Sequence, residues 1–277
     1  MRASSGTRVV LKPADSWSAL NLREVWQFRE LFVFLAWRDI KVRYAQAVLG
    51  VAWAVIQPLL MMVVFTFVFG KLAQVPSDGV PYPVFSFAGL VPWIFFSSSM
   101  SGAANSLVGS AALVSRVWFP RLVLPGAALL SYLPDVAIST VILIGIAVAF
   151  GVAITPTILL LPVFVVFALL AAASVGIWLG ALNVEYRDIR YVFPFLTQLW
   201  LFATPVAYPA SSVPEQYQWL LGLNPMAGVV EGFRWAIIGQ DEPPWTVIAT
   251  SSVIVAVLLV SGLYYFRRVE HRFADVI

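Results

Sequence analysis

The sequence predicts an all-α integral membrane protein with six transmembrane helices, and three observations support this. Hydrophobic residues make up 61% of the chain and charged residues 11%, whereas soluble domains are about 45–50% apolar. Five long stretches contain almost no charge. Lysine and arginine are concentrated in alternate connecting segments, as the positive-inside rule requires of cytoplasmic loops. Lipid is therefore the expected solvent of most of the chain.

The segment before the first apolar stretch is expected to hold a flexible tail, residues 1–19, and a cytoplasmic interface helix, residues 20–45. Apolar side chains recur there at helical spacing, with charged side chains largely on the other side. The pattern fits an amphipathic helix lying in the membrane interface, and an ordinary basic segment before the first span fits it equally well. The candidate interface residues are Phe28, Phe32, Arg38, Lys41 and Arg43.

The rest of the chain, residues 46–277, is expected to form a six-helix transmembrane domain. A bilayer core about 30 Å thick requires roughly 20 residues of helix. The stretch 122–184 has only Asp135 as a charge and is too long for one helix, so the segment 151–157, with Pro156, is expected to divide it. One crossing each is predicted for 44–70, 79–115, 191–214 and 243–266.

The distribution of positive charge predicts the orientation. With a cytoplasmic N-terminus, 15 of the 17 lysine and arginine residues fall in cytoplasmic segments, and only Lys71 and Arg234 fall outside. This alternation fits an even number of crossings, with both termini in the cytoplasm. The net charge of +3 then reflects topology, and nucleic-acid binding is not expected.

The outer segment from Pro205 to Pro244 is too apolar for a free loop, yet prolines and glycines interrupt it repeatedly. Two short re-entrant helices, about 212–222 and 226–239, are predicted between spans 5 and 6, separated by Asn224 and Pro225. Non-helical backbone at membrane depth is tolerated only where protein buries it or it lines a cavity. A lid packed on the outer surface is the alternative.

Catalytic and metal chemistry find little support. The chain has no cysteine and a single histidine, His271, so no metal site is predicted. Asp135 is the one ionisable residue inside a span, where a charge is costly without a partner. It is a functional candidate, or it lies near a helix end or in a polar contact between subunits. No lysine or arginine in another span is available to pair with it.

Four motifs, in order along the chain, together carry a family resemblance. They are Trp37-Arg38-Asp39-Ile40-Lys41-Val42-Arg43-Tyr44 with Leu49-Gly50-Val51-Ala52-Trp53 and Gln57-Pro58; Leu113-Val114-Ser115-Arg116-Val117-Trp118-Phe119-Pro120-Arg121; Asn224-Pro225-Met226 with Glu231-Gly232-Phe233-Arg234; and Phe266-Arg267-Arg268-Val269-Glu270 with Phe273-Ala274-Asp275-Val276-Ile277. The sequence resembles the membrane subunits of ABC-2 type exporters for O-antigen, capsule and teichoic acid chains.

The resemblance implies that this subunit pairs with a second copy of itself and with two cytosolic ATPase subunits. The sequence contains no GxxxxGK[ST] phosphate loop, so ATP and magnesium are expected on the partner. The inner loop resembles a coupling helix that contacts the ATPase, with an exposed Trp118–Phe119 pair. Interfacial aromatics and positive-inside arginines explain the same residues without a partner. The coupling candidates are Arg116, Val117, Trp118, Phe119, Pro120 and Arg121.

The family also has outward gate helices after the fifth span, which residues 212–239 resemble. Glu231 and Arg234 are three residues apart and could pair weakly if exposed, so shape rather than charge is expected to matter there. The gate candidates are Trp219, Asn224, Pro225, Glu231, Phe233 and Arg234. Aromatic side chains along the sugar passage are also implied, although packing explains such rings as well. The passage candidates are Trp53, Trp93, Phe95, Phe96, Trp200 and Phe202.

The expected function is that of the permease subunit of an ATP-driven exporter that moves an undecaprenyl diphosphate-linked polysaccharide across the bacterial inner membrane. An ABC-2 exporter of a drug or small lipid is the nearest alternative. An integral membrane glycosyl or acyl transferase is a more distant one, because no convergent acid and base groups are visible. Its candidate acids are Asp135, Glu215, Glu231, Asp241 and Glu242.

Overall fold

A computed structural model of the chain describes residues 22–45, 50–186, 188–239 and 242–273. All regular structure in these ranges is helical. The predicted tail and the last four residues of the last motif, 274–277, lie outside the described residues. The helices are α1 (Leu22–Gln27), α2 (Arg29–Ala45), α3 (Gly50–Phe65, continued by a π-helix Thr66–Leu72), α4 (Tyr82–Gly109), α5 (Ala111–Arg116), α6 (Val123–Leu130), α7 (Leu133–Ala149), α8 (Leu161–Glu185), α9 (Ile189–Ala203), α10 (Glu215–Leu221), α11 (Ala227–Ile238) and α12 (Trp245–Val269).

Five helical segments within the described ranges are long and apolar enough to cross a membrane, and they match predicted spans 1, 2, 3, 4 and 6. The fifth predicted span, 191–214, is only partly helical: α9 has 15 residues. It ends because Thr204 precedes Pro205 and is extended, as expected for a residue before proline. The six-span layout is therefore not confirmed by helix length. The five segments are Ala52–Leu72, Tyr82–Gly109, Val123–Ala149, Pro156–Glu185 and Trp245–Arg272.

The long stretch 122–184 divides where the prediction placed the break. Helix α7 ends at Ala149, Gly151 has a φ of 76°, and Pro156 begins a short 3₁₀ turn that leads into α8. A second break, between α6 and α7, was not predicted. It lies at Ser131 and Tyr132, just before Pro134 in the first turn of α7, where proline's missing amide costs no helical hydrogen bond.

Helix α4 is the centre of the molecule and packs most extensively against α8. Small residues allow this approach: a Cβ added at Gly176 of α8 would lie 2.9 Å from the Cβ of Ala103. Small residues at helix interfaces let the two backbones approach closely in this way. At the same interface, buried Asn183 donates to the carbonyl of Ala104 at 2.9 Å.

An apolar cluster joins α2, α5, α6, α8 and the chain after α12. It contains Leu35 of α2 together with Phe119, Phe266 and Phe273. The first and last described segments therefore lie at the same end of the helices. We call this the arginine-rich end, since it carries Arg38, Arg43, Arg116, Arg121 and Arg267; the opposite end carries α10 and α11.

Candidate functional site

The predicted coupling segment forms the short helix α5 followed by an extended residue, Val117. Ser115, Arg116, Val117 and Trp118 are exposed and form what we call the coupling tip. The Trp118 ring is 50% exposed, and its centroid lies 6.0 Å from that of Phe28 in an edge contact. The coupling tip therefore touches the predicted interface helix while leaving most of its surface free.

The expectation that Phe119 is exposed alongside Trp118 is wrong. Phe119 is 1% exposed and packs in the apolar cluster of the arginine-rich end, because the chain turns inward there at buried Pro120. The backbone N–H of Arg121 donates to the Glu270 carboxylate at 2.8 Å, and Arg267 pairs with the same carboxylate at 3.0 Å. The segment is thus anchored to the end of α12.

One face of the interface helix is apolar and packs against protein. The other face also carries large apolar residues, which was not predicted. Phe28 and Phe32 pack against the apolar cluster as expected, and a Cβ at Gly126 would lie 2.6 Å from the Phe32 ring. The side expected to be polar also carries large apolar residues, so amphipathicity is weaker than predicted. Arg38 pairs with Asp39 at 2.8 Å and Lys41 is exposed. The exposed apolar residues are Trp26, Val33, Phe34, Trp37 and Val42.

Asp135 has a partner that the sequence analysis missed. It lies in the first turn of α7, near a helix end as one of the alternatives held, and accepts from Arg43 of α2 at 2.7 Å. Arg43 also donates to the Ser131 carbonyl at 3.2 Å and to the Ser131 hydroxyl at 2.9 Å. Its guanidinium lies 3.6 Å from the centroid of the Tyr132 ring.

Tyr44 completes this cluster by donating its hydroxyl to Asp135. Burial and the neighbouring Asp135 carboxylate raise the pKa of Tyr44 above its ordinary value, despite the opposing charge of Arg43. Tyr44 therefore stays a neutral donor at physiological pH. The sequence analysis considered only residues inside the spans as partners of Asp135. It therefore excluded Arg43, the last basic residue before span 1.

The predicted gate segment contains two short helices, α10 and α11, with a break at residues 222–226. Asn224 organises the break: its side-chain oxygen accepts from Trp200 at 2.9 Å and from the Met226 N–H at 3.0 Å. Its amide donates to Thr204 at 2.8 Å. Pro225 is buried and Trp219 is 49% exposed.

Charge matters more in α11 than the sequence analysis expected. Arg234 and Glu231 pair at 2.6 Å with side chains only 4% and 11% exposed, so the pair is buried. Arg234 also donates to the carbonyls of Pro205 at 2.9 Å and Val206 at 3.2 Å, and lies 3.7 Å from the centroid of the Phe85 ring. The pair thus fastens the loop after α9 onto α4 and α11; Phe233 beside it is fully buried.

The candidate passage aromatics differ in their burial and surroundings. Trp93 and Phe96 are 4% and 0% exposed and pack with Trp200 in edge and tilted contacts, so the structure favours packing over passage lining for these three. Phe95 is also buried but borders a cavity beside α3. Trp53 and Phe202 are more than half exposed and remain candidates.

Two of the acids considered for catalysis, Asp135 and Glu231, lie apart in the described residues. Asp135 and Glu231 are each engaged by an arginine and lie in separate clusters, at the arginine-rich and opposite ends. Over the ranges that the structure describes, no group of three histidine, aspartate or glutamate residues could hold a metal ion. Asp241 and the Glu215 side chain lie outside the description.

Comparison with known proteins identifies the family. The model of the ABC-2 type transporter family matches residues 30–238. The chain belongs to this family. The matched region runs from the interface helix through the coupling tip to the end of α11, and so includes the Arg43–Asp135 and Glu231–Arg234 clusters. Membership and the five long apolar helices together make the chain a multi-pass integral membrane protein.

Curated relatives match along nearly their whole length. The O-antigen export system permease protein RfbA of Myxococcus xanthus is 31% identical over 92% of this chain and 98% of its own. RfbA of Klebsiella pneumoniae is 27% identical over 90% and 95%. The polysialic acid transport protein KpsM of Escherichia coli is 24% identical over 84% and 91%. The family resemblance inferred from the four motifs is confirmed.

Proposed function

We propose that this chain is the permease subunit of an ATP-driven exporter that carries an undecaprenyl diphosphate-linked polysaccharide of the O-antigen type across the bacterial inner membrane. The observation that carries the proposal is end-to-end similarity to proteins named for O-antigen export. The nearest alternative, export of a drug or small lipid, gains nothing from those names. The relatives are named as permease and transport proteins, and we propose that this chain likewise acts as a transport subunit, with ATP hydrolysis on a partner.

The proposed topology has six crossings with both termini in the cytoplasm. Tyr265 near the end of α12 donates to Glu185 at the end of α8 at 3.1 Å, so both helices end on the arginine-rich side. Thr157, just before α8, donates to Ala236 of α11 on the opposite side. These contacts support a further crossing between α8 and α11, and α9 is the helix available for it. At about 1.5 Å per residue, its 15 residues span about 22 Å.

We propose that two copies of this chain assemble with two cytosolic ATPase subunits. One ATPase subunit binds at the coupling tip of each copy. Exposed Trp118 and Arg116 suit such a contact, since aromatic and arginine side chains are enriched at protein interfaces. Trp118 of the tip contacts Phe28, just before α2. The chain after the tip is hydrogen-bonded to Glu270, at the end of α12. Movement of the ATPase would thus reach the interface helix and the last span, α12, at once.

The passage is proposed to form between two copies, along the exposed faces of α3 and α9. Both faces carry a glutamine, Gln57 and Gln198, that is exposed on the single chain. An amide at membrane depth favours a protein neighbour or water over lipid. Trp53 and Phe202, on the same two helices, would then line the passage. A second copy would cover these glutamine-bearing faces, which are poorly suited to contact with lipid.

Helix α11 is proposed to be a re-entrant gate. Its Gly228 N–H donates to Ser251 at 3.0 Å, six residues inside α12, which is about 9 Å from the start of that helix. Val229, Val230 and Phe233 of α11 are fully buried. This depth favours a helix dipping between the spans over a lid on their outer surface.

Deleting this chain in its host tests the proposed function. We expect lipid-linked glycan to accumulate on the cytoplasmic side of the membrane and glycan to be lost from the cell surface. Restoring the intact chain should reverse both effects. A strain that lacks a glycosyltransferase needed to build the glycan serves as control, since it should lose surface glycan without accumulation. Unchanged surface glycan together with new drug sensitivity would contradict the proposal.

A further inference from the structure

Two cavities lie end to end along one face of α4. The first, of about 290 Å³, is bordered on α4 by Val91, Ile94, Phe95 and Ser98; we call it the membrane chamber. The second, of about 360 Å³, is bordered on α4 by Gly102, Asn105, Ser106 and Gly109; we call it the arginine-side chamber. Successive turns of α4 contribute one or two of these positions each, three or four residues from those of the turn before, so they form one continuous stripe on the helix.

The chambers differ in the elements that close their other sides. The membrane chamber is walled by Trp53 and Gln57 of α3 and by Val136 and Ser139 of α7. The arginine-side chamber is walled by α2 and α6 and holds the exposed Arg38–Asp39 pair near its mouth. One chamber thus lies among the spans, and the other faces the arginine-rich end.

Among the residues that the structure describes, only Arg43 and Tyr132 border both chambers. The Tyr132 ring fills the notch left by Gly102, where an added Cβ would lie 2.6 Å from a ring carbon. Arg43 covers the ring at 3.6 Å from its centroid, and Asp135 holds Arg43 in that position at 2.7 Å. These three residues form a partition across what would otherwise be one groove along α4.

The partition is connected to the coupling tip. Arg43 is on α2, the helix that Phe32 packs onto Gly126 of α6 and that follows Phe28, the contact of Trp118. Tyr132 and Asp135 instead belong to the junction between α6 and α7. A displacement of α2 relative to α6 would therefore separate the two sides of the partition.

We propose that Arg43, Tyr132 and Asp135 form a gate inside each protomer, which closes a groove along α4 between the arginine-rich end and the membrane chamber. The ion pair keeps it shut, and moving α2 opens it. When Arg43 leaves Asp135, the two charges lose their direct contact, and water, which already reaches both partly exposed side chains, solvates them instead. The open groove admits water and small polar solutes up to Ser98 and Gln57.

The experiment uses the absence of cysteine from the chain, which allows single thiols to be placed without altering the background. Ser98→Cys reports on the membrane chamber and Ser106→Cys on the arginine-side chamber. A charged, membrane-impermeant methanethiosulfonate reagent is added to vesicles of the full transporter with the arginine-rich end outward. With the gate intact, we expect the thiol at 106 to react and the thiol at 98 to be protected.

Asp135→Asn breaks the gate with almost no change in side-chain size. We expect it to speed labelling at 98 by about tenfold or more, since a tenfold shift needs only about 1.4 kcal/mol, and to leave labelling at 106 unchanged. Asp39→Asn is the matched control, because it removes the carboxylate of the exposed Arg38–Asp39 pair and should leave 98 protected.

Labelling at 98 that is already fast in the intact chain, or that is equal with and without Asp135→Asn, would overturn the proposal. Should Asp135→Asn fail to insert, Tyr132→Ala provides the second test. It removes the ring that fills the Gly102 notch while keeping the Arg43–Asp135 pair, and it should expose 98 to the same reagent. Continued protection at 98 in that variant would equally contradict the gate.

Discussion

The two ends of the molecule each contain an arginine–carboxylate pair of nearly equal length, and they differ in what the pair joins. At the opposite end, Glu231 and Arg234 lie one turn apart on α11 and are almost completely buried, at 2.6 Å. At the arginine-rich end, Arg43 and Asp135 come from separate helices and are 29% and 24% exposed, at 2.7 Å. The same chemistry thus serves as a fixed fastening at one end and as a separable contact at the other.

The largest effect is expected from Arg234→Gln. It leaves the Glu231 carboxylate buried without its cation and removes donors from the Pro205 and Val206 carbonyls. Breaking a buried pair on one side costs about 3–5 kcal/mol. The measurement is the free energy of unfolding in mixed micelles titrated with denaturing detergent. Arg38→Gln, at an exposed pair, is the control, and equal small losses for both would show that the fastening is unimportant.

A smaller effect is expected from Arg43→Gln, since water reaches both partners of that pair. Hydrogen bonds to charged groups contribute about 1.5–3 kcal/mol, and we expect a loss near the lower figure. A double-mutant cycle with Asp135→Asn isolates the coupling between the two side chains, expected to be about 1 kcal/mol. A loss as large as that of Arg234→Gln would remove the distinction between the two ends.

The anchor of the coupling segment is tested by Glu270→Gln. The change weakens the bonds from the Arg121 N–H and from Arg267, at an expected cost of about 1–2 kcal/mol. ATPase activity should also respond less to transport substrate, because the coupling tip is no longer held to α12. Glu185→Gln, which alters an exposed contact with Tyr265, is the matched control and should leave the response unchanged.

The smallest effect on stability, with a clear effect on activity, is expected from Trp118→Ala. Its ring is half exposed, so the unfolding free energy should fall by about 1 kcal/mol or less, while substrate-stimulated ATPase activity falls severalfold. Phe119→Ala beside it should instead cost about 3–5 kcal/mol, as expected for a buried phenylalanine. Similar stability losses for the two variants would contradict the assignment of one to the surface and the other to the core.

Much of the fold could be predicted from charge and proline positions alone. Pro156 marked the division of the long stretch, and Asn224 and Pro225 marked the break between α10 and α11, because these effects act on neighbouring residues. The short length of α9 had a local signal too: Pro205 forces the residue before it out of the helix. The sequence analysis counted only the charge gap and extended the span to residue 214.

Contacts between distant residues could not be predicted in the same way. Arg43 and Asp135 are 92 residues apart, and each has an ordinary local explanation, as a positive-inside arginine and as an acid near a helix end. Phe119 follows Trp118 directly, yet the turn at Pro120 sends one ring into the core and leaves the other outside. The buried setting of Glu231 and Arg234 depends on the loop at 205–210, which folds back from another helix.

The most direct test of the account is cross-linking of this chain to its ATPase. Ser115→Cys, in the coupling tip, and Ser211→Cys, exposed at the opposite end, each introduce a single thiol into the cysteine-free chain. A short thiol-to-amine cross-linker applied to the assembled transporter should join the ATPase to the thiol at 115 and not to the thiol at 211. Cross-linking at 211, or none at 115, would contradict the proposal that the arginine-rich end is cytoplasmic and receives the ATPase.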